Sequence, residues 1–327
     1  MPISRKFLSS LPLVLALCAC SSSAVAQRYP SEPVRLVVGF AAGGSVDLIA
    51  RIFADKVAET LGGPVLVVNQ SGASGALAAE TVMRSKPDGH MLFVSSASTL
   101  SVSPATVPNL RFNPQKDFTA IALIAMTPQV LAVHPSVNAT SLKELLDLSA
   151  KSEVTIASAG IGGLSHLTIE LLKAGRQTKL VHVPYRGGAP ATTDAVAGHV
   201  NTIVMDFPAV QSFVNSGGLR ALAVTSKDRS ALLPDVPSAG EAGSAALSGA
   251  VNWFAIMAPA KMPTALADRL HRVFTDASND PIVLRRLREA GVEPLTYNSR
   301  DEFSGFLKSE IDRWGKVAKD ANITASP

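Results

Sequence analysis

Residues 34 to 51, VRLVVGFAAGGSVDLIAR, constrain the fold of this chain more than any other stretch. Val34 to Val38 reads as a buried strand, Gly43 and Gly44 as a turn, and the periodic run from Ser45 to about Leu61 as a helix. A strand feeding a helix through a glycine turn is the building unit of parallel α/β sheets. The same layout points unpaired N–H groups and the positive end of a helix dipole at one spot, which suits an anion. No lysine follows the glycines, as a phosphate-binding G-x-x-x-x-G-K-[ST] loop requires, and the G-x-G-x-x-G dinucleotide spacing is missing. A carboxylate is the natural candidate.

The unit recurs along the chain. Val65–Val68 precedes the turn Ser71 to Gly75 and a second helix, and Met91–Val94 is a third strand ending in Ser95, Ser96, Ala97, Ser98 and Thr99. A second set begins near residue 128 with the strand Val130–Val133. Val154–Ala157 then runs into Ser158-Ala159-Gly160-Ile161-Gly162-Gly163 and a helix from about Ser165. Leu180–Val183 leads to Pro184-Tyr185-Arg186-Gly187-Gly188, and Thr202–Met205 ends at Asp206. In open α/β sheets ligands bind beyond the carboxyl ends of strands, where these Gly, Ser and Thr residues collect. Ser141-x-x-Glu144 and Ser299-x-x-Glu302 are capping boxes that start helices. Phe303, Phe306, Leu307, Ile311, Trp314 and Val317 share one helical face, which predicts core packing.

The first 26 residues read as a signal peptide: a basic start (Arg5, Lys6), a short apolar run (Leu11 to Ala19) and the small-x-small site Ala24-Val25-Ala26. Cleavage there gives an exported, periplasmic protein. Leu17-Cys18-Ala19-Cys20 also resembles a lipoprotein box, the alternative in which Cys20 carries a lipid anchor. Both cysteines fall inside this segment, so the mature chain has no disulfide framework. Losing Arg5 and Lys6 takes the net charge from +4 to +2, which argues against nucleic acid. Roughly 300 remaining residues suggest two domains, and no linker composition separates them.

Catalytic and metal constellations are weak. Ser165 and His166 are neighbours on one helix and cannot face each other, and no G-x-S-x-G elbow exists, so an exported hydrolase using them with Asp206 is a minor alternative. The histidines show no zinc spacing; neither a metal nor a cofactor is expected. Arg186, between Tyr185 and two glycines, reads either as a ligand contact or as a surface or interdomain ion pair. Asp47, in the first helical turn, reads as an organiser of the turn, since an anionic ligand would be repelled by it.

Together the motifs resemble a known family. F-x-x-G-G-x-x-D-x-x-A-R (Phe40 to Arg51), K-P-D-G (Lys86 to Gly89), S-A-G-x-G-x-x-x-H (Ser158 to His166) and V-P-Y-R-G-x-x-P-A (Val183 to Ala191) form an ordered set. A-L-A-V-T (Ala221 to Thr225), L-P-D-V-P (Leu233 to Pro237) and W-F-x-x-x-A-P (Trp253 to Pro259) complete it. The set resembles the solute-binding proteins of tripartite tricarboxylate transporters, the Bug-type periplasmic receptors, over residues 28 to 324. The resemblance implies an α/β, two-domain Venus-flytrap fold of the type II-like periplasmic-binding-protein class. It further implies a small organic acid held in the interdomain cleft, membrane transporter subunits as partners, a monomer and no catalysis. A ligand sensor working through a two-component system would share that fold. Domain 1 is expected at 27–127 plus 254–327, and domain 2 at 128–253.

The family's ligand positions map onto Phe40, Ala42, Gly43, Gly44 and Ser45 in the first turn, and onto Ser96, Ser98 and Thr99 after the third strand. In domain 2 they map onto Ser158, Ala159, Gly160, Gly162, Ser165, His166, Tyr185, Arg186 and Asp206. Ala42 stands where the family commonly has proline, Val46 where it often has a hydroxyl, and Ile161 and Gly163 where Asn and Ser are frequent. Phe207 replaces a common polar residue. These departures predict a ligand with more apolar surface than a citrate-like triacid, such as an aromatic or longer-chain carboxylate.

Overall fold

The computed structural model of the chain describes residues 29–72 and 75–324; the signal-peptide and Cys20 expectations fall outside them. In chain order the elements begin β1 (Val34–Val38), α1 (Ser45–Leu61), β2 (Val65–Asn69), α2 (Ala76–Met83) and β3 (Met91–Ser96). A π-helical turn, Ser98–Val102, runs into the short α3 (Ser103–Thr106). Then come β4 (Phe118–Thr127), β5 (Gln129–Val133), α4 (Leu142–Lys151), β6 (Val154–Ser158), α5 (Leu164–Lys173) and β7 (Leu180–Pro184). α6 (Gly188–Val196), β8 (Thr202–Asp206), α7 (Phe207–Asn215) and β9 (Arg220–Val224) follow. The chain continues through β10 (Asn252–Pro259), α8 (Thr264–Ser278), α9 (Pro281–Glu289), β11 (Glu293–Pro294) and α10 (Arg300–Asp320).

Two sheets result. One has the order β11-β4-β10-β3-β1-β2 and the other β7-β6-β8-β5-β9. In the first, β1 pairs parallel with β2 and β3, while β10 pairs antiparallel with β3 and β4. In the second, β6 pairs parallel with β7 and β8, while β5 runs antiparallel to β8 and β9. Each sheet is thus a parallel βαβ half completed by antiparallel strands. Those strands also carry the chain across: it leaves the first sheet at Pro128, between β4 and β5, and returns between β9 and β10.

β4 and β10 carry no strand pattern legible in the sequence. Their sequences, FTAIALIAMT and NWFAIMAP, are buried almost throughout, so neither has the alternation that marks a half-exposed strand. Helices cover both faces of each sheet, in keeping with strands that are apolar on both sides. The α10 stripe packs as its spacing predicts: Phe303, Leu307 and Trp314 are buried and Phe306, Ile311 and Val317 lie against the same cluster. Leu164 and Leu167 of α5 join that cluster, so the second lobe leans on the first along α5 and α10.

Candidate functional site

The two glycine turns are built alike. In the first, Gly43 adopts φ +84°, which favours glycine, and Gly44 is the N-cap of α1 with extended φ −77°. In the second, Gly162 adopts φ +71° and Gly163 is the N-cap of α5 with φ −88°. Both turns are then locked by a side chain four residues on. Asp47 Oδ2 accepts the Gly43 N–H at 2.9 Å, and His166 Nδ1 accepts the Gly162 N–H at 3.0 Å. A further hydroxyl, Ser165 Oγ, accepts the Ala159 N–H at 3.1 Å. Neither N-cap glycine supplies a capping side chain, so neither helix start has its first N–H groups taken up by its own N-cap residue.

Asp47 is tied further by Arg51 Nε at 3.0 Å and Asn69 Nδ2 at 2.9 Å. Burial alone would push its carboxyl up, but the hydrogen bonds from Arg51, Gly43 and Asn69 outweigh that and hold it below the ordinary carboxylate range. It organises the turn, as the sequence suggests. His166 stands behind the second turn, stacked on His182 with ring centroids 4.0 Å apart, and His182 Nε2 lies 2.6 Å from Ser158 Oγ. Because Nδ1 of His166 accepts an N–H, that ring is neutral and carries its proton on Nε2.

Burial lowers the His166 pKa, and burial together with the neighbouring His166 and Lys173 takes His182 down to about 4. Both imidazoles therefore bind protons less readily folded than unfolded. Their stabilising contribution is complete above the ordinary histidine value of 6.5 and is lost as pH falls from there towards 4. The thermal unfolding midpoint is expected to drop across that window, and His182→Gln to flatten the drop. A wild-type midpoint that stays level from pH 7 to 5 would contradict this account.

A cavity of about 320 Å³ lies between the sheets, lined by both turns. Of the residues expected there, Phe40, Gly44, Ser45, Ser96, Ser98, Ala159, Gly160, Ser165 and Asp206 line it. Eight others do not, each for a local reason. Ala42 and Gly43 sit on the exposed outer side of their turn. Thr99 and Ser158 are fully buried behind the lining, and Gly162 and His166 are occupied by each other. Tyr185 turns its hydroxyl to Asp194 Oδ2 at 2.8 Å, and Arg186 is exposed.

The lining includes residues the sequence reading did not name as contacts. Val46, Ile161 and Gly163 were visible as departures from the family pattern. Gln129, Leu164, Met205 and Asn252 were not singled out at all. Gln129 and Asn252 open β5 and β10, the first strand after each crossing, and position rather than motif brings them to the cavity. Asp206 accepts from Asn252 Nδ2 at 2.6 Å and from Gln129 Nε2 at 3.3 Å. Thr106 Oγ1, from the first lobe, donates to Gly162 O of the second turn at 3.0 Å.

No Ser–His–Asp relay is assembled among the described residues: Asp206 faces amides, and the Ser158–His182 pair lies outside the lining. Nor is any group of three or more His, Cys, Asp or Glu among them placed to hold a metal ion.

Two sheets joined by two crossings, with paired helix starts facing a shared cleft, define a Venus-flytrap fold of the periplasmic-binding-protein class. The model of the tripartite tricarboxylate transporter family receptor matches residues 49–323, and the chain belongs to that family. It is a solute-binding receptor, not an enzyme. It is 31% identical over 318 residues to the protein BugT of Bordetella pertussis, covering 96% of this chain and 97% of that one. A solved periplasmic transporter shares 35% identity at a TM-score of 0.81, over 90% of this chain and 99% of the other. The R. palustris protein Rpa4515, solved with adipate, shares 30% identity at a TM-score of 0.82 with the same coverage.

Proposed function

We propose that this chain works in the periplasm, captures a small carboxylate-bearing solute between its lobes and delivers it to the membrane subunits of a tripartite tricarboxylate-type transporter. The lobes are taken as residues 27–127 with 254–327, and 128–253. The observation that carries the reading is the pair of glycine-capped helix N-termini, one from each lobe, opening on one cavity. Oriented backbone donors bind a carboxylate without an arginine, because their dipoles are already in place. A ligand that contacts both lobes favours the closed arrangement by its differential affinity for it.

Phe40, Val46, Ile161, Leu164 and Met205 supply apolar lining, which suits a solute with an aromatic or longer aliphatic body. That Rpa4515 was solved with adipate is in keeping with this. A thermal-shift screen against mono- and dicarboxylates is expected to find the largest stabilisation with such acids. Stabilisation by citrate alone would sink the assignment of ligand character.

A further inference from the structure

Among the described residues, Asp206 is the one titratable side chain in the cavity lining, and none of them forms an ion pair with it. Its two oxygens take an N–H each from Gln129 and Asn252. Those contacts fix which way the two amides are turned, since only their nitrogens can donate to a carboxylate. The amide oxygens, Gln129 Oε1 and Asn252 Oδ1, are left buried with no hydrogen-bond donor from the protein. Gln129 is 2% exposed and Asn252 7%, and both line the cavity. A buried acceptor left unmatched is unfavourable, and two beside a carboxylate form a site rich in acceptors and poor in donors.

We propose that the solute carries, besides its carboxylate, a nitrogen-borne donor, an ammonium or amide N–H group, which Asp206, Gln129 and Asn252 receive. The helix starts take the anionic end and the acceptor cluster takes the donor, so the two ends of the ligand are told apart. A second carboxylate placed against Asp206 would meet like charge unless one of the two held a proton, and it would leave both amide oxygens unmatched. An N–H group meets all three acceptors with the correct sign. Burial already pushes the Asp206 carboxyl up, and a cation beside it would bring it back down. Because the Asp206–Asn252 bond joins the second sheet to the first strand of the return crossing, occupancy here also acts on the junction of the lobes.

The proposal rests on the carboxylate-receptor reading above and names the rest of the ligand's chemistry. The test is calorimetry on the full mature chain with matched acids: 5-aminopentanoate against pentanoate and glutarate, glutamate against glutarate, and phenylalanine against 3-phenylpropanoate. In at least one set the nitrogen-bearing acid is expected to bind at least about tenfold more tightly than its nitrogen-free partners. Asp206→Asn should then remove most of that preference, by weakening the nitrogen-bearing acids and by lifting the like charge that glutarate meets. Tighter binding of nitrogen-free acids in every set overturns the proposal and leaves the carboxylate reading standing. Binding of none of these acids overturns both. The wild-type comparison needs no variant, so it decides the matter even if Asp206→Asn folds poorly.

Discussion

Gly163→Asp is expected to abolish carboxylate binding while leaving the protein as stable as before or slightly more so. The N-cap position holds φ −88° and ψ 173°, values any residue adopts, and an added Cβ would meet nothing nearer than Gly160 O at 3.9 Å. An N-cap carboxylate turns back onto the N–H groups of the second and third helical residues, here Ser165 and His166. Ser165 lines the cavity, and the α5 start it belongs to is among those proposed to hold the ligand. The helix would gain a few tenths of a kcal/mol over glycine, and the binding site would be filled by the protein's own anion. In the first turn the matching change is Gly44→Ser, because Asp47 already holds a carboxylate there. Calorimetry with the best acid from the screen should show affinity reduced by about a hundredfold or more for Gly163→Asp, with no loss in thermal midpoint. Unchanged affinity would remove the α5 start from the site.

Glu310→Ala should produce the largest loss of stability. Its Oε2 accepts the indole N–H of Trp253 at 3.0 Å and that of Trp314 at 3.1 Å, and both rings are fully buried. Alanine strands two indole donors in an apolar cluster, at about 1–3 kcal/mol each. The expected destabilisation is about 4 kcal/mol, read from urea unfolding. Glu310→Gln keeps an acceptor oxygen in place and should cost about 1 kcal/mol. Arg313, which also approaches Glu310, donates to Gly249 O and Ser248 O on the return crossing. The same variant therefore loosens the clamp that α10 holds on the junction between lobes. Equal losses for alanine and glutamine would show that the shared acceptor is not the cause.

The glycine turns, the parallel strands beside them and the apolar stripe of α10 are legible in sequence because each follows a local rule: a left-handed glycine, a short β-branched run, a 3.6-residue period. Asp47 as turn organiser is legible for the same reason, since two of its three partners, Gly43 and Arg51, lie four residues to either side. Gln129 and Asn252 are not. Each opens a strand whose burial on both faces erases alternation, and each reaches the cavity because that strand is the first after a crossing. His166 shows the opposite difficulty. Its motif marks it correctly as part of the second turn, but sequence cannot tell a side chain that touches a ligand from one that props up the backbone that does.

One property of the topology bears on the order in which the molecule can assemble. Asn252 pairs with Thr127, and β10 lies between β4 and β3, near the middle of the first sheet. The second sheet, by contrast, is built wholly from one uninterrupted segment between those two residues. As the chain emerges, β1 to β4 therefore wait with a gap in their sheet until more than a hundred further residues have passed. The second lobe meets no such delay, and its early completion brings the two ends of that segment side by side. The cleft is then finished only after the second lobe, when β10 slots into place and carries Asn252 to Asp206.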